Sequence, residues 1–475
     1  MPFQTIRKKM VGARIARPAI RSFLAAVSRV RSTEHGTIPE CAIDPVHALP
    51  RLEDIAPQNL ERLELLSQLA VVKLNGGLGT SMGLDKAKSL LVVRRDECLL
   101  DFIARHILQL REESGSKAPA FYLMNSFGTR KDSLRYLKRY PSLGSGGPID
   151  FLQSMVPKIC ATTHKPISWP ANPNLEWCPP GHGDLYTTMW ANGLLENLLR
   201  AGVKFMFVSN ADNVGASVDM AILRYFSDSG ISFLMEVTKR TSADRKGGHL
   251  AQAKSNKRLL LREVAQCPEE DLAAFQDIDR HSYFNTNNLW IRLDHLKERL
   301  DDSGGELPLP IIANRKTIDP KDAKSPKILQ LESAMGAAIE CFDRAGALVV
   351  PRARFAPVKT TADLLALRSD VYWETGNGCL VLNPSRCGRP PLIDLSADYK
   401  HILDFENAFP DGSPSLLNCK SLKILGKWVF GANVICEGDV EFVNFSAETR
   451  QVAPGRYRDE VLTYAGEKVL QTTTS

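Results

Sequence analysis

The run Leu69-Ala-Val-Val-Lys-Leu74 breaks off at Asn75-Gly-Gly77, and that junction constrains the fold more than any other feature of the chain. A short apolar stretch that stops at glycines reads as a buried strand of a parallel sheet. Four further runs have the same character: Ala120–Met124, Lys204–Ser209, Phe233–Val237 and Asn288–Leu293. Between them lie helical patterns, with Leu99, Phe102, Ile103, Ile107 and Leu110 on one face and a helix expected over Leu185–Leu199. Strand–helix alternation predicts an α/β domain with a mixed, mostly parallel sheet. Ligands of such sheets sit beyond the carboxyl ends of the strands.

The loop leaving the first strand, Leu74–Ser89, holds Gly76, Gly77, Gly79 and Gly83. Backbone N–H groups without neighbouring Cβ atoms can approach an anion and form a concave nest for phosphate oxygens. Lys86 or Lys88 can supply the cation. Two familiar phosphate loops are excluded by spacing. No glycine precedes Lys88-Ser89 as a GxxxxGK[ST] loop requires. A GxGxxG fingerprint begun at Gly77 meets Met82 where its third glycine belongs.

At 475 residues the chain exceeds one compact core and predicts two or three domains. The expected divisions are a helical lead-in over 1–46, a ligand-binding domain over 47–370 and a C-terminal domain over 371–475. The net charge of +6 is concentrated at one end. Arg7, Lys8, Lys9, Arg14, Arg17, Arg21, Arg29 and Arg31 precede the first acid, Glu34, and the rest of the chain is slightly acidic. A nucleic-acid groove would spread cations over the folded body, so that class is excluded as the main function. The acid-free segment reads either as a transit peptide or as a helical lead-in with Ile20, Phe23, Leu24 and Val27 as its buried stripe. The second reading is preferred. No stretch reaches the ~18 apolar residues of a membrane span, so no membrane partner is expected. The 10 cysteines lack CxxC or metal-ligand spacing and read as reduced, mostly buried thiols of a cytoplasmic protein. Beyond residue 370, short apolar steps broken by Gly426, Gly431 and Gly438 suggest either a small β-solenoid or an antiparallel sheet with glycine turns.

LNGGLGTSMG followed by KS resembles the signature of the eukaryotic-type UDP-glucose pyrophosphorylases, or UTP–glucose-1-phosphate uridylyltransferases. VPKI at 156–159, PPGHGD at 179–184, SNADN at 209–213, KGGHL at 246–250, LRE at 261–263, FNTNN at 284–288 and FAPVKT at 355–360 follow in the family's order. The resemblance implies a nucleotidyltransferase domain of the GT-A, Rossmann-like kind and a C-terminal left-handed β-helix. It implies UTP and glucose 1-phosphate as substrates, UDP-glucose and pyrophosphate as products, and Mg²⁺ as cofactor. A monomer and a homo-oligomer through the C-terminal domain are both compatible with it.

Residue by residue, the resemblance assigns Leu74, Asn75, Gly76, Gly77, Met124, Gln153, Pro180 and Gly181 to the nucleotide, with Gln153 reading uracil. Lys88, His182 and Lys359 become the catalytic residues, the last at the sugar phosphate. Asn210, Gly247, Glu263, Phe284 and Asn285 fall to the sugar. Asp212 becomes the metal ligand; by local sequence alone it serves equally as a helix cap, and one carboxylate suffices for a magnesium ion held mainly by phosphates. His182 can act as a neutral donor or a cation. Arg262 offers a plain ion-pair partner for Glu263. One departure stands out: Lys86-Ala87 replaces the family's Gly-Pro. Without proline's fixed φ, Lys88 is expected to be more mobile, with Lys86 competing for phosphate. Sugar scope remains open, because a pocket that tolerates an epimeric hydroxyl discriminates weakly. Galactose 1-phosphate or an N-acetylhexosamine 1-phosphate is the alternative substrate, and a non-catalytic sugar-nucleotide-binding subunit is the alternative class.

Overall fold

A computed structural model describes residues 2–32, 36–55, 62–320, 322, 324–375, 378–465 and 468–473. Its centre is a ten-stranded mixed sheet. Strands Phe205–Asn210, Leu69–Asn75, Ala120–Asn125 and Asp150–Leu152 lie side by side in parallel. The long strand Tyr283–Arg292 joins this block antiparallel and connects it to Phe233–Lys239 and His249–Ala253.

Alternation along each parallel strand divides the core between the sheet's two faces. Ala70, Val72, Met206 and Val208 point into one core, with Leu185, Tyr186 and Met189 from the covering helix. Leu69, Val71, Phe205 and Phe207 point into the other, against Ile107, Ile222, Phe226 and Trp290. The expected helix over Leu185–Leu199 is two helices, Asp184–Ala191 and Leu194–Arg200. Gly193, at φ +77°, breaks it, a left-handed conformation that no regular helix accommodates.

The basic N-terminal segment forms helices Pro2–Gly12 and Arg17–Arg31. Ile20, Phe23 and Val27 are buried against Val156, Ile159, Leu329 and Leu331, while Leu24 is half-buried. Several of its cations are engaged by the body: Lys9 donates to Ile167 O at 2.8 Å and pairs with Glu176, and Arg29 donates to Leu309 O at 3.0 Å. No helix among the described residues is long and apolar enough to cross a membrane. All ten cysteines are free thiols, yet only Cys98, Cys178, Cys419 and Cys436 are fully buried, fewer than expected.

In the C-terminal part, strands Leu392–Leu395, Cys419–Leu425, Val434–Asn444 and Gly455–Ala465 stack in parallel. A second parallel pair joins Trp428–Phe430 to Arg450–Val452. The antiparallel-sheet reading therefore fails for these strands; Lys468–Thr473 joins them antiparallel, and a separate short pair, Tyr372–Glu374 with Leu380–Leu382, is also antiparallel. Register aligns Leu422 with Val440 and Ile424 with Phe442, so like residues stack into one core. Gly426 marks a corner at φ +72°, where a Cβ would come within 2.1 Å of Asn444 O. This core also takes in Met82 from within the glycine-rich loop and Leu91 from just after it, so the loop packs against the C-terminal strands.

Candidate active site

Register brings the parallel strands to a common edge: Leu74 lies beside both Asn210 and Met124, and Met124 beside Phe151. Just beyond that edge opens a cleft of about 300 Å³. Leu74, Asn75, Gly76, Gly77, Lys88, Met124, Gln153, Gly181, His182, Asn210 and Asp212 all line it. These residues come from widely separated stretches of the chain.

Each wall has a definable cause. Gly76 admits the Gln153 carboxamide, since a Cβ there would stand 2.7 Å from Gln153 Nε2. A Cβ on Gly77 would meet no protein atom within 4 Å, so this backbone faces open space that a ligand can approach. Gly181, at φ +85°, lets its loop press onto Ser333, whose carbonyl oxygen would lie 2.4 Å from a Cβ. The same segment orients His182, whose Nδ1 accepts the Met335 N–H at 3.0 Å. Burial pushes the His182 imidazole down to about 4. The ring is therefore neutral near pH 7, with its proton on Nε2.

In the same cleft, Lys88 Nζ lies 2.7 Å from Asp212 Oδ2, with both side chains mostly buried. Asp212 is not a helix cap. That task falls to Asp219, whose Oδ1 accepts from the N–H groups of Ala221 and Ile222. Lys86 departs from expectation: it lies outside the cleft, in a surface hollow with Asp132, Arg135 and Arg139, so it does not compete there for phosphate. Ala87 does not leave Lys88 loose either. Its φ of −54° is one that proline would adopt, its side chain is buried, and Lys88 is held by Asp212.

Lys359 lies outside this cleft and lines an adjoining cavity of about 860 Å³ together with Phe355. Its ammonium sits 5.6 Å from the Phe355 ring centre, and Phe355 meets Phe284 edge-on at 5.1 Å. Phe284 occupies the space a Cβ on Gly247 would need, 2.2 Å from Cε2. Burial raises the Glu263 carboxyl, and the Lys359 charge opposes that rise. Gly247, Glu263, Phe284 and Lys359 are thus one neighbourhood, and buried Asn285 is next in sequence to Phe284. Arg262 does not pair with Glu263; it binds Glu40 at 2.6 Å and Asp271 at 3.2 Å. The two stations are linked, because Val358 N–H donates to Asp212 O at 3.0 Å.

A sequence model of the UTP–glucose-1-phosphate uridylyltransferase family matches residues 20–437. The enzyme of that name from Saccharomyces cerevisiae is 39% identical over 419 residues, covering 88% of this chain and 82% of its own. The chain belongs to the UTP–glucose-1-phosphate uridylyltransferase family. Among solved structures, a UDP-glucose phosphorylase from Trypanosoma brucei is 45% identical with a TM-score of 0.92, covering 98% of this chain and 100% of its own. A mutant of the UDP-glucose pyrophosphorylase from Leishmania major, in complex with UDP-glucose, is 44% identical with a TM-score of 0.91, covering 98% and 99%.

Two residues that the uridylyltransferase resemblance assigns to the nucleotide have other partners in the structure. Pro180 lines a separate small cavity beside helix Arg17–Arg31, and its carbonyl accepts the Ser333 N–H at 2.9 Å. Asn75 reaches the cleft, but its carboxamide is committed to Asn125 at 2.7 Å and Ser133 at 2.8 Å. Conversely, sequence reasoning missed Ser89, Pro179, Ala211 and Glu332, which also line the cleft. The first three adjoin residues already singled out. Glu332 had no motif to flag it, and it arrives at the end of strand Lys327–Glu332 from a distant part of the chain.

Proposed function

We infer that this chain joins UTP to glucose 1-phosphate, giving UDP-glucose and pyrophosphate reversibly. The observation that carries the reading is the Lys88–Asp212 pair, set between a glycine-lined cleft and the loop bearing Lys359. In the forward direction a phosphate oxygen of the sugar phosphate attacks the α-phosphorus of UTP. That P–O bond forms as the bond to pyrophosphate breaks, and pyrophosphate carries away the electron pair. The nucleophile is already an anion, so no general base is required. What the protein supplies is orientation and charge neutralisation.

Gln153 pairs with the uracil edge through an amide that both donates and accepts. Leu74, Gly76, Gly77, Met124 and Gly181 form the walls around the base. Lys88 holds the triphosphate, and His182 donates from neutral Nε2–H to a phosphate oxygen. Asn210, Gly247, Glu263, Phe284 and Asn285 surround the sugar, with Lys359 offsetting the repulsion between the two anions.

Among the described residues, no group of three or more His, Cys, Asp or Glu side chains is arranged to hold a metal ion. A lone Asp212 carboxylate fits magnesium that arrives with the nucleotide and draws its remaining ligands from phosphates and water. When bound, Mg²⁺ neutralises charge on the phosphates. We further read the parallel rungs beyond residue 391 as a short left-handed β-helix, the last of three domains divided near residues 46 and 370.

A pyrophosphate-release assay with Mg²⁺, crossing four nucleoside triphosphates with several sugar 1-phosphates, tests the reading. UTP with glucose 1-phosphate is expected to be the best pair by at least tenfold in kcat/KM. Equal turnover with galactose 1-phosphate would establish the broader sugar scope. UDP-glucose binding without turnover of any pair would overturn the enzyme reading.

A further inference from the structure

Behind the cleft, the loop carrying Asp212 and the loop carrying Lys359 are laced together by a buried polar network. Its centre is Glu236, on strand Phe233–Lys239 and fully buried. The carboxylate accepts four hydrogen bonds: from Arg354 Nε at 2.7 Å, Arg354 Nη2 at 2.8 Å, Asn288 Nδ2 at 3.0 Å and Trp290 Nε1 at 2.9 Å. Arg354 Nη2 also reaches Ser217 O at 2.9 Å, on the far side of the Asp212 loop.

Asn213, next to Asp212, is the pivot. Its Oδ1 accepts the Ala356 N–H at 2.8 Å and the Gly215 N–H at 3.2 Å. Its Nδ2 donates to Arg354 O at 3.1 Å and Asn288 Oδ1 at 3.3 Å. Contact between the loops is tight enough that a Cβ on Gly215 would stand 2.2 Å from Ala353 O. None of Asn213, Glu236 or Arg354 lines the nucleotide cleft.

A carboxylate saturated by four donors, two from Arg354 and two from strand Tyr283–Arg292, has few alternative arrangements at low local dielectric. Backbone hydrogen bonds at loop edges, by contrast, open easily. We propose that Asn213 and the Glu236–Arg354 pair are positioning residues that hold the Asp212 loop and the Lys359 loop at one fixed separation, bringing the groups that bear on the nucleotide and on the sugar phosphate into register. The proposal rests on the roles given above to Asp212 and Lys359. Misplacement by about 1 Å costs a reaction of this kind on the order of 100-fold in rate.

The test is a double-mutant cycle on the full chain with Asn213→Ala and Lys359→Ala, together with amide hydrogen exchange. Asn213→Ala is expected to lower kcat at least tenfold while the KM for UTP changes less than threefold. In the Lys359→Ala background the same substitution is expected to cost less than threefold, because no lysine is left to misplace. Exchange of the Ala356 and Val358 amides is expected to quicken at least tenfold, with strand Leu69–Asn75 unchanged. An undiminished effect in the Lys359→Ala background, or unaltered exchange at Ala356 and Val358, overturns the proposal. Wild-type turnover in Lys359→Ala alone would instead sink the role given to Lys359, while the exchange result still judges the network. Should Asn213→Ala fail to fold, Arg354→Lys replaces it, since lysine keeps the charge but cannot bridge the Glu236 carboxylate with two donors.

Discussion

Lys88→Met should change metal binding and turnover in opposite directions. The Lys88 ammonium lies 2.7 Å from Asp212 Oδ2, and the two side chains are only 16% and 21% exposed. At an effective dielectric of about 20, such a pair attracts by roughly 6 kcal/mol, and solvent access lowers the net value towards the ~1 kcal/mol of exposed pairs. A divalent cation that seeks Asp212 in the nucleotide-free protein must displace that ammonium. Methionine keeps the length of the stem and removes the charge. The variant should therefore bind Mn²⁺ about tenfold more tightly without nucleotide, a difference of about 1.4 kcal/mol. Its turnover should fall by roughly 100- to 1000-fold, because a preorganised cation facing the phosphates is gone. The assays are loss of the free Mn²⁺ electron-paramagnetic-resonance signal on titration and pyrophosphate release at saturating substrates. Asp212→Asn serves as the control and should lose both properties. Metal binding by Lys88→Met no tighter than that of the unaltered chain would refute the competition argument, and undiminished turnover would refute the role of Lys88.

Four further outcomes are expected. Ala87→Pro should stabilise the chain by about 0.4–1 kcal/mol, since φ is already −54° and the flanking amides, such as Lys88 N–H to Gly77 O at 3.1 Å, carry the loop's pairing; a lower Tm would mean that the buried site cannot admit the ring. With the His182 imidazole pushed down to about 4, the pH profiles of kcat/KM for the unaltered chain and for His182→Gln should share one shape between pH 5 and 8; loss of a limb near 6.5 in the variant would contradict a neutral ring. Gly247→Ala forces Phe284 to move and should raise the KM for glucose 1-phosphate about tenfold with little change for UTP, which initial-rate kinetics can check. Lys73 is fully buried, donates to Ser209 Oγ at 2.8 Å, and is pushed down by burial from 10.5 to about 7. Between those values the unfolded chain binds a proton that the folded chain does not, so this residue makes stability rise with pH across that window. Lys73→Met should flatten the slope in denaturant titrations at pH 7, 8 and 9; an unchanged slope would show that Lys73 keeps its charge.

Much of this site was legible in the sequence because local chemistry announces it. Glycines after an apolar strand, a histidine between glycines and an aspartate at a strand end are each constrained within a few residues of chain. Pro180 shows where local chemistry stops: its motif was recognisable, but its backbone partner is Ser333, more than 150 positions away. Lys86 and Lys88 could not be ranked by sequence. Two residues apart, they end in different hollows because the loop folds back on itself at Leu78 and Ala87. Glu332 was invisible, since a carboxylate at a strand end is commonplace until something is packed opposite it.

The sequence by itself determined the α/β class, the strand edge at which the cleft opens, the family and most of the cleft's residues. These follow from short-range periodicity and from motif spacing, which the chain carries wherever it folds. Only the tertiary structure decided the rest: that Lys88 rests on Asp212, that His182 is neutral with its proton on Nε2, and that Lys359 belongs to a second station tied to the first. Those facts are set by burial and by partners distant in sequence, and neither exists until the sheet has brought its loops to one edge.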